Sequence, residues 1–210
     1  VREALAPALV ELAFSPKQNA LFVSAPDWKQ EDKSRVLRLN PLTLKAEATI
    51  AQKVKAFGVA LDDSHNRLYV SQGFNGAVGV VDIERNQSLG DIPLQPKVNL
   101  AAAYRDAGIG GQRLAYLLEE LQRFGISDDY LYKVREVKYD APSGRLFLPG
   151  LGYGVESVLF VVDTRKLQLK KVIPGFGFYA TGIAIDEVGR RVFVSNMQGQ
   201  LMTLNADTLE

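Results

Sequence analysis

Cysteine is absent from the 210 residues, which removes disulfide frameworks, thiolate zinc sites and cysteine nucleophiles together. Histidine occurs once, as His65, and tryptophan once, as Trp28. With a single histidine in a turn-like DDSHNR stretch and no G-x-S-x-G elbow, Ser-His-Asp hydrolysis has no support in the sequence. Charge of either sign is not in excess. The 25 basic and 24 acidic residues leave a net charge of +1, so no global field draws the molecule to nucleic acid or an anionic membrane, and any such binding has to be local. Long apolar runs are missing too. The longest are of strand length, well short of the roughly 18 residues a membrane-spanning helix needs, so no membrane insertion is expected. The sequence opens at Val1 with neither Met nor an apolar leader, which reads as a processed terminus or as a sequence given without its leader.

What is present is a repeat. ALFVS from Ala20, RLYVS from Arg67, RLFLP from Arg145 and RVFVS from Arg191 are short strands with apolar residues at matching places. Aligned on Leu21, Leu68, Leu146 and Val192, they recur after about 47, 78 and 46 residues, so the middle interval carries an insertion of about 32. Each is preceded by a strand (LVELAF, FGVALD, REVKYD, TGIAID) and a tight turn rich in Asp, Asn, Gly, Pro and Ser. Each is followed by a strand ending in Asn40, Asp82, Asp163 or Asn205. The first three units then add a polar, alternating strand suited to an outer edge. Four short strands per unit with a period near 46 predict an all-β chain, a β-propeller of four-stranded blades spanning approximately 9–50, 57–94, 135–173 and 181–210. The continuous apolar runs AVGVV and VLFVV agree, because a middle strand in a blade packs on both faces. The fourth unit stops where its outer strand should begin, and VREALAPA does not read as the missing partner. The expectation is therefore part of a longer ring, or an open arc completed by a second chain.

Between the second and third blades, residues 99–130 lose the two-residue period. In QRLAYLLEELQRFG, Leu114, Leu117, Leu118, Leu121 and Phe124 share one helical face and Arg113, Glu119, Glu120 and Arg123 the other. Gly125 suits the carboxyl cap, and Asn99 suits the amino cap of a shorter helix ending at Gly108. The GIGG stretch from Gly108 lacks the Lys and Ser or Thr of a phosphate loop and reads as a linker. The insertion is either a lid or docking hairpin at the channel rim, or packing on the propeller's own rim.

LYVSQGFNGAVGVVD and VFVSNMQGQLMTLN resemble the YVTN-type propeller repeat. ELAFSPKQNALFVSA, KAFGVALDDSHNRLYVS, ESVLFVVD and TGIAIDEVGRRVFVSNMQGQL resemble, in order, the amino-terminal four blades of the YncE-type bacterial periplasmic propellers. That resemblance implies a seven-bladed, secreted, non-catalytic propeller, linked in the family to iron-responsive expression and to binding of single-stranded DNA. The early end and the helical insertion depart from the family pattern.

Candidate chemistry clusters at the starts of the first strands. Glu11 and Glu136 occupy equivalent positions there, where the other two units have Gly58 and Gly182. Paired carboxylates are donors for a hard cation such as Ca2+, as in lactonase-type propellers. Arg135 is adjacent, and Lys55, Lys133 and Tyr179 lie in the loops leading in, a basic and aromatic set suited to an anion or a stacked base. Pairing of Arg135 with Glu136 is the purely structural alternative. Asp62, Asp63, Asp140 and Asp186 precede turns and read as turn caps, and Arg165, Lys166, Lys170 and Lys171 as a solvated edge. Two function classes remain: a periplasmic binding or scaffold propeller without a cofactor, recruiting single-stranded nucleic acid or an iron-uptake-linked partner at the rim, and a calcium-dependent lactonase-like hydrolase. A quinoprotein is disfavoured, since Trp28 stands alone.

Overall fold

A computed structural model describes residues 2–210; the reading of Val1 lies outside them. The strand β1 (Leu12–Ser15) pairs with β2 (Ala20–Ala25), followed by β3 (Arg35–Leu39) and β4 (Ala46–Ala51), in one antiparallel sheet of sequential order. The second sheet repeats this with β5 (Val59–Asp62), β6 (Arg67–Gln72), β7 (Ala77–Asp82) and β8 (Gln87–Pro93). A two-stranded ribbon of β9 (Val98–Asn99) and β10 (Asp128–Asp129) brackets two helices, α1 (Leu100–Asp106) and α2 (Gly111–Phe124). In the third sheet the inner edge is split between β11 (Tyr132–Val134) and β12 (Lys138–Asp140), both pairing with the long β13 (Arg145–Gly152), before β14 (Val158–Asp163) and β15 (Gln168–Ile173). The fourth has three strands, β16 (Ala180–Asp186), β17 (Arg191–Asn196) and β18 (Leu201–Asn205). The chain is a β-propeller arc of such sheets with a helical insertion.

The anchors are equivalent in register. Leu21, Leu68, Leu146 and Val192 each sit opposite an apolar residue of the preceding strand: Phe14, Leu61, Tyr139 and Ile185. Alternation along the second and third strands explains the continuous apolar runs: in β14, Phe160 and Val162 pack back towards the second sheet while Leu159 and Val161 pack forward on the fourth. Leu68 and Val70 pack back on Phe22 and Val36 of the first sheet, while Tyr69 packs forward with Leu146, Leu148 and Phe160 of the third. In turn Phe147 packs forward on Val192 and Val194. A sheet buried on both faces leaves no polar side to write into the sequence. Before β1, Leu5 and Ala6 form no strand but cover Leu21, Val23 and Leu37 on the back of the first sheet.

Serine ties adjacent sheets together near the inner edge. Ser24 accepts from the Glu11 amide (3.1 Å) and donates to the Phe57 carbonyl. One unit later Ser71 accepts from the Gly58 amide (2.8 Å) and donates to the Arg135 carbonyl. Pro149 holds the place in the third sheet and has no hydroxyl to give. Ser71 is fully buried, and Ser71→Ala removes one of the two donors to the Arg135 carbonyl, leaving the Gly58 amide at 3.1 Å. The expected cost is about 0.5–1.5 kcal/mol, read as a lower urea midpoint at unchanged m-value.

The insertion follows local rules. Asn99 caps α1 by accepting from the Ala102 amide (3.0 Å), and Gly125 ends α2 in the left-handed region at φ 63°. Leu117 and Leu121 are buried with Leu100 and Tyr104 of α1 and with Val155 of the third sheet's rim, so the leucine face does pack on the propeller. Phe124 corrects the expected stripe. It is the last residue of α2, past the edge of the covered surface, and is 63% exposed.

Candidate functional site

In an antiparallel sheet of sequential strands, the loops after the second and fourth strands emerge on one face, and the turns after the first and third on the other. The helical insertion, Trp28, Lys55, Phe57 and Phe74 all belong to loops of the first kind. These loops bring three aromatic rings together. Trp28 meets Phe57 edge-on at 5.6 Å between centroids, and Phe57 meets Phe74 edge-on at 5.5 Å. Phe57 is buried as the keystone, whereas Trp28 and Phe74 are 56% and 45% exposed. Edge-to-face pairing of this kind holds rings in place while leaving their faces open.

Two of the lysines singled out from sequence converge on this cluster. Lys55 Nζ stands 5.7 Å and Lys133 Nζ 5.9 Å from the Phe74 ring centre, both within cation–π range. Phe57, Phe74, Lys133, Arg135, Glu136 and Thr181 help to line a cavity of about 230 Å³ beside them. Each cation has an acid nearby: Lys55 with Glu31 at 3.9 Å, Lys133 with Asp129 at 2.6 Å, Arg135 with Glu136 at 3.8 Å. Of the three, Arg135 is the most exposed, at 71% of its side chain. The rim is thus an aromatic platform with balanced charge around it rather than a basic track.

Tyr179 does not itself line that cavity, although the Ala180 and Thr181 that follow it do. Burial, then the neighbouring Tyr116 and Glu120, push the Tyr153 phenol up, with Tyr179 a smaller contributor, which places it beside the α2 side of the rim. Sequence reasoning did not select Phe57 or Phe74, and noted Trp28 only as a lone tryptophan. The available signal was position, since both exposed rings sit in the loop after the second strand of their sheets.

Inside the arc, where the first strands β1, β5, β12 and β16 meet in succession, Glu11 and Glu136 do approach one another. Burial, then the Glu11 charge, raise the Glu136 carboxyl, against the opposing pull of Lys138 and Arg135. Glu11 gives one oxygen to Lys138 Nζ (3.3 Å) and the other to the Val59 amide (3.1 Å). Among the described residues no group of three or more Asp, Glu or His side chains is placed to hold a metal ion, whereas calcium takes roughly six to eight oxygens. Lys138 already supplies the positive charge this pair calls for.

On the opposite face the aspartates act as turn caps. Asp62 accepts from Ser64 Oγ (2.6 Å), Asp140 from the Ser143 amide (3.2 Å) and Asp186 from the Gly189 amide (2.8 Å). Asp63 does otherwise, reaching across to Ser15 and to the Lys17 amide (3.0 Å). His65 stands beside one of these caps. Its Nδ1 lies 2.7 Å from the buried Asp62 carboxylate, though its side chain is 73% exposed.

No family model matches the chain. It is similar to the protein YncE of Escherichia coli, at 26% identity over 206 residues, 98% of this chain and 50% of the relative. YncE of Salmonella typhi matches at 25% over the same share. The chain spans about half the length of these curated relatives. Among solved structures, hydrazine synthase of Kuenenia stuttgartiensis superposes at a TM-score of 0.68 with 15% identity, over 99% of this chain and 48% of that one. The dihydro-heme d1 dehydrogenase NirN does so at 0.60 with 16% identity, over 99% and 37%. These likenesses support the propeller fold. No helix among the described residues is long and apolar enough to cross a membrane.

Proposed function

We propose that this YncE-like propeller chain is a non-catalytic binding module that holds a planar group, the base of a single-stranded nucleic acid, on the rim formed by Trp28, Phe57 and Phe74. The observation that carries the reading is the exposed, pre-positioned ring pair Trp28 and Phe74, locked through buried Phe57 and flanked by Lys55 and Lys133. Base stacking on an aromatic is worth about 1–3 kcal/mol and is tolerant of sequence. Arg135, the most exposed of the three rim cations, is the group best placed for a phosphate. A periplasmic setting and an iron-linked partner rest on the family resemblance alone. The hydrolase reading is weaker, because both Glu11 oxygens are engaged by Lys138 and the Val59 amide.

The balanced charge makes a quantitative demand. If one to three phosphates are neutralised, the logarithm of the association constant falls with that of salt at a slope of roughly −0.7 to −2. Fluorescence anisotropy with a labelled oligothymidine, titrated at several salt concentrations, measures it. Trp28→Ala and Phe74→Ala are each expected to weaken binding by about 5- to 150-fold, the equivalent of one lost stack. Affinity unchanged in both variants would remove the rim from the account. Absence of binding by the unaltered protein would remove nucleic acid as its ligand.

A further inference from the structure

The face opposite the rim carries a cleft, visible by comparing two neighbouring sheet junctions. Between the third and fourth sheets, Arg190 makes a two-pronged pair with buried Asp140 at 2.8 and 2.7 Å, and also meets Asp207 at 2.8 Å. Arg145 spans the same junction to the Asp207 carbonyl at 2.9 Å. Between the second and third sheets two of these four places keep their residue type and two change. Asp62 stands where Asp140 does, Gly144 where Arg190 does, Arg165 where Asp207 does, and Arg67 where Arg145 does. The stitching arginine is gone and a cleft of about 500 Å³ is left, lined by Asp62, His65, Arg67, Tyr139, Thr164 and Arg165 among others.

The charged side chain left without a close partner of opposite sign in this cleft is an arginine, Arg165. Asp62 accepts from Ser64 Oγ (2.6 Å) and the His65 amide (3.3 Å) on one oxygen, and its other oxygen faces His65 Nδ1 (2.7 Å). Despite burial, those bonds and one from Tyr139 hold its carboxyl below the usual range. Arg67 is shared with Asp82 at 3.1 Å, and Arg85 takes the same carboxylate at 3.2 Å. Arg165 has no carboxylate partner among the described residues. Its Nε lies 3.1 Å from where a side chain on Gly144 would begin, in the space the sister junction fills with protein. We propose that this cleft binds a small oxyanion, a phosphate or carboxylate group, with Arg165 as its principal anchor and Arg67 and His65 beside it.

The sister junction supplies the test. Arg190 adopts φ 56° at the turn position where Gly144 has φ 65°, so arginine is compatible with the backbone there, and Gly144→Arg refills the slot. Arg165→Ala removes the anchor without touching the turn. Isothermal titration with inorganic phosphate and with succinate, each against sodium chloride of equal ionic strength, reads the binding. Saturable binding of phosphate alone supports a phosphate site, and binding of both supports a general oxyanion site. In either case both variants, verified as folded by circular dichroism, are expected to lose at least tenfold in affinity. No binding of either anion above the chloride control overturns the proposal, as does undiminished binding in Arg165→Ala. The rim loops lie on the other face, so failure here leaves the stacking test unaffected.

Discussion

Arg190→Ala is expected to destabilise the protein by about 3–5 kcal/mol, because it leaves the Asp140 carboxylate buried with its two-pronged partner removed. Asp140 is wholly inaccessible, and its contacts to Arg190 are 2.8 and 2.7 Å. Burial works to raise the Asp140 carboxyl, but the Arg190 and Ser143 hydrogen bonds and the Arg190 charge outweigh it and hold it below its ordinary 3.8. The sign of the pH dependence follows. A depressed folded-state value means that the stabilisation is full above 3.8 and is lost as pH falls through the lower folded value. In Arg190→Ala the burial remains and the guanidinium is gone, so the carboxyl rises instead and acid relieves the penalty. The gap between the two proteins is therefore expected to be widest near neutrality and to close on acidification. Urea unfolding at several pH values measures both. A gap independent of pH would mean that Arg190 acts through packing alone. The double substitution Asp140→Asn with Arg190→Ala is expected to cost less than the two single changes combined, since neither leaves the other charged and stranded.

Gly58→Ala is expected to cost about 3 kcal/mol or more, from an apparently minor change. A methyl group there would stand 2.1 Å from the Arg135 carbonyl oxygen and 3.0 Å from Glu11 Oε2. The first neighbour is backbone and has no rotamer to yield. Its displacement breaks the Gly58 amide bond to Arg135 (3.1 Å) and the Ser71 bond to the same oxygen. Overpacking alone costs roughly 1–3 kcal/mol, and a buried carbonyl left unpaired adds about 1–3 more. Thermal and urea denaturation are the measurements. Gly182→Ala is the control, because its nearest neighbour is the Ser195 hydroxyl at 2.4 Å, the end of a side chain that can rotate away. Equal losses at the two glycines would show that the backbone approach at Gly58 is not what matters.

The same pair of positions shows how far residue order carries. The strands, their turns, the phase of Leu21, Leu68, Leu146 and Val192, and the caps at Asn99 and Gly125 were legible, since each depends on neighbours within a few residues. Glu11 and Glu136 were recognised as equivalent by that phase. Equivalence, however, is not environment: Lys138, 127 residues from Glu11, neutralises it, and nothing local to either residue announces the pair. Phe124 likewise kept its helical period but lay past the end of the covered surface.

By itself, then, the order of residues determined the blade: where its strands and turns recur, the phase that makes them equivalent, and where the period breaks for two helices. Only the tertiary structure decided the sites. The Trp28, Phe57 and Phe74 cluster, the Arg190 stitch and the cleft beside Gly144 all arise where one sheet meets the next. Their partners are chosen by the rotation between sheets. Strand periodicity records only which face of its own sheet a side chain takes, and carries no information about the angle at which the next sheet is set.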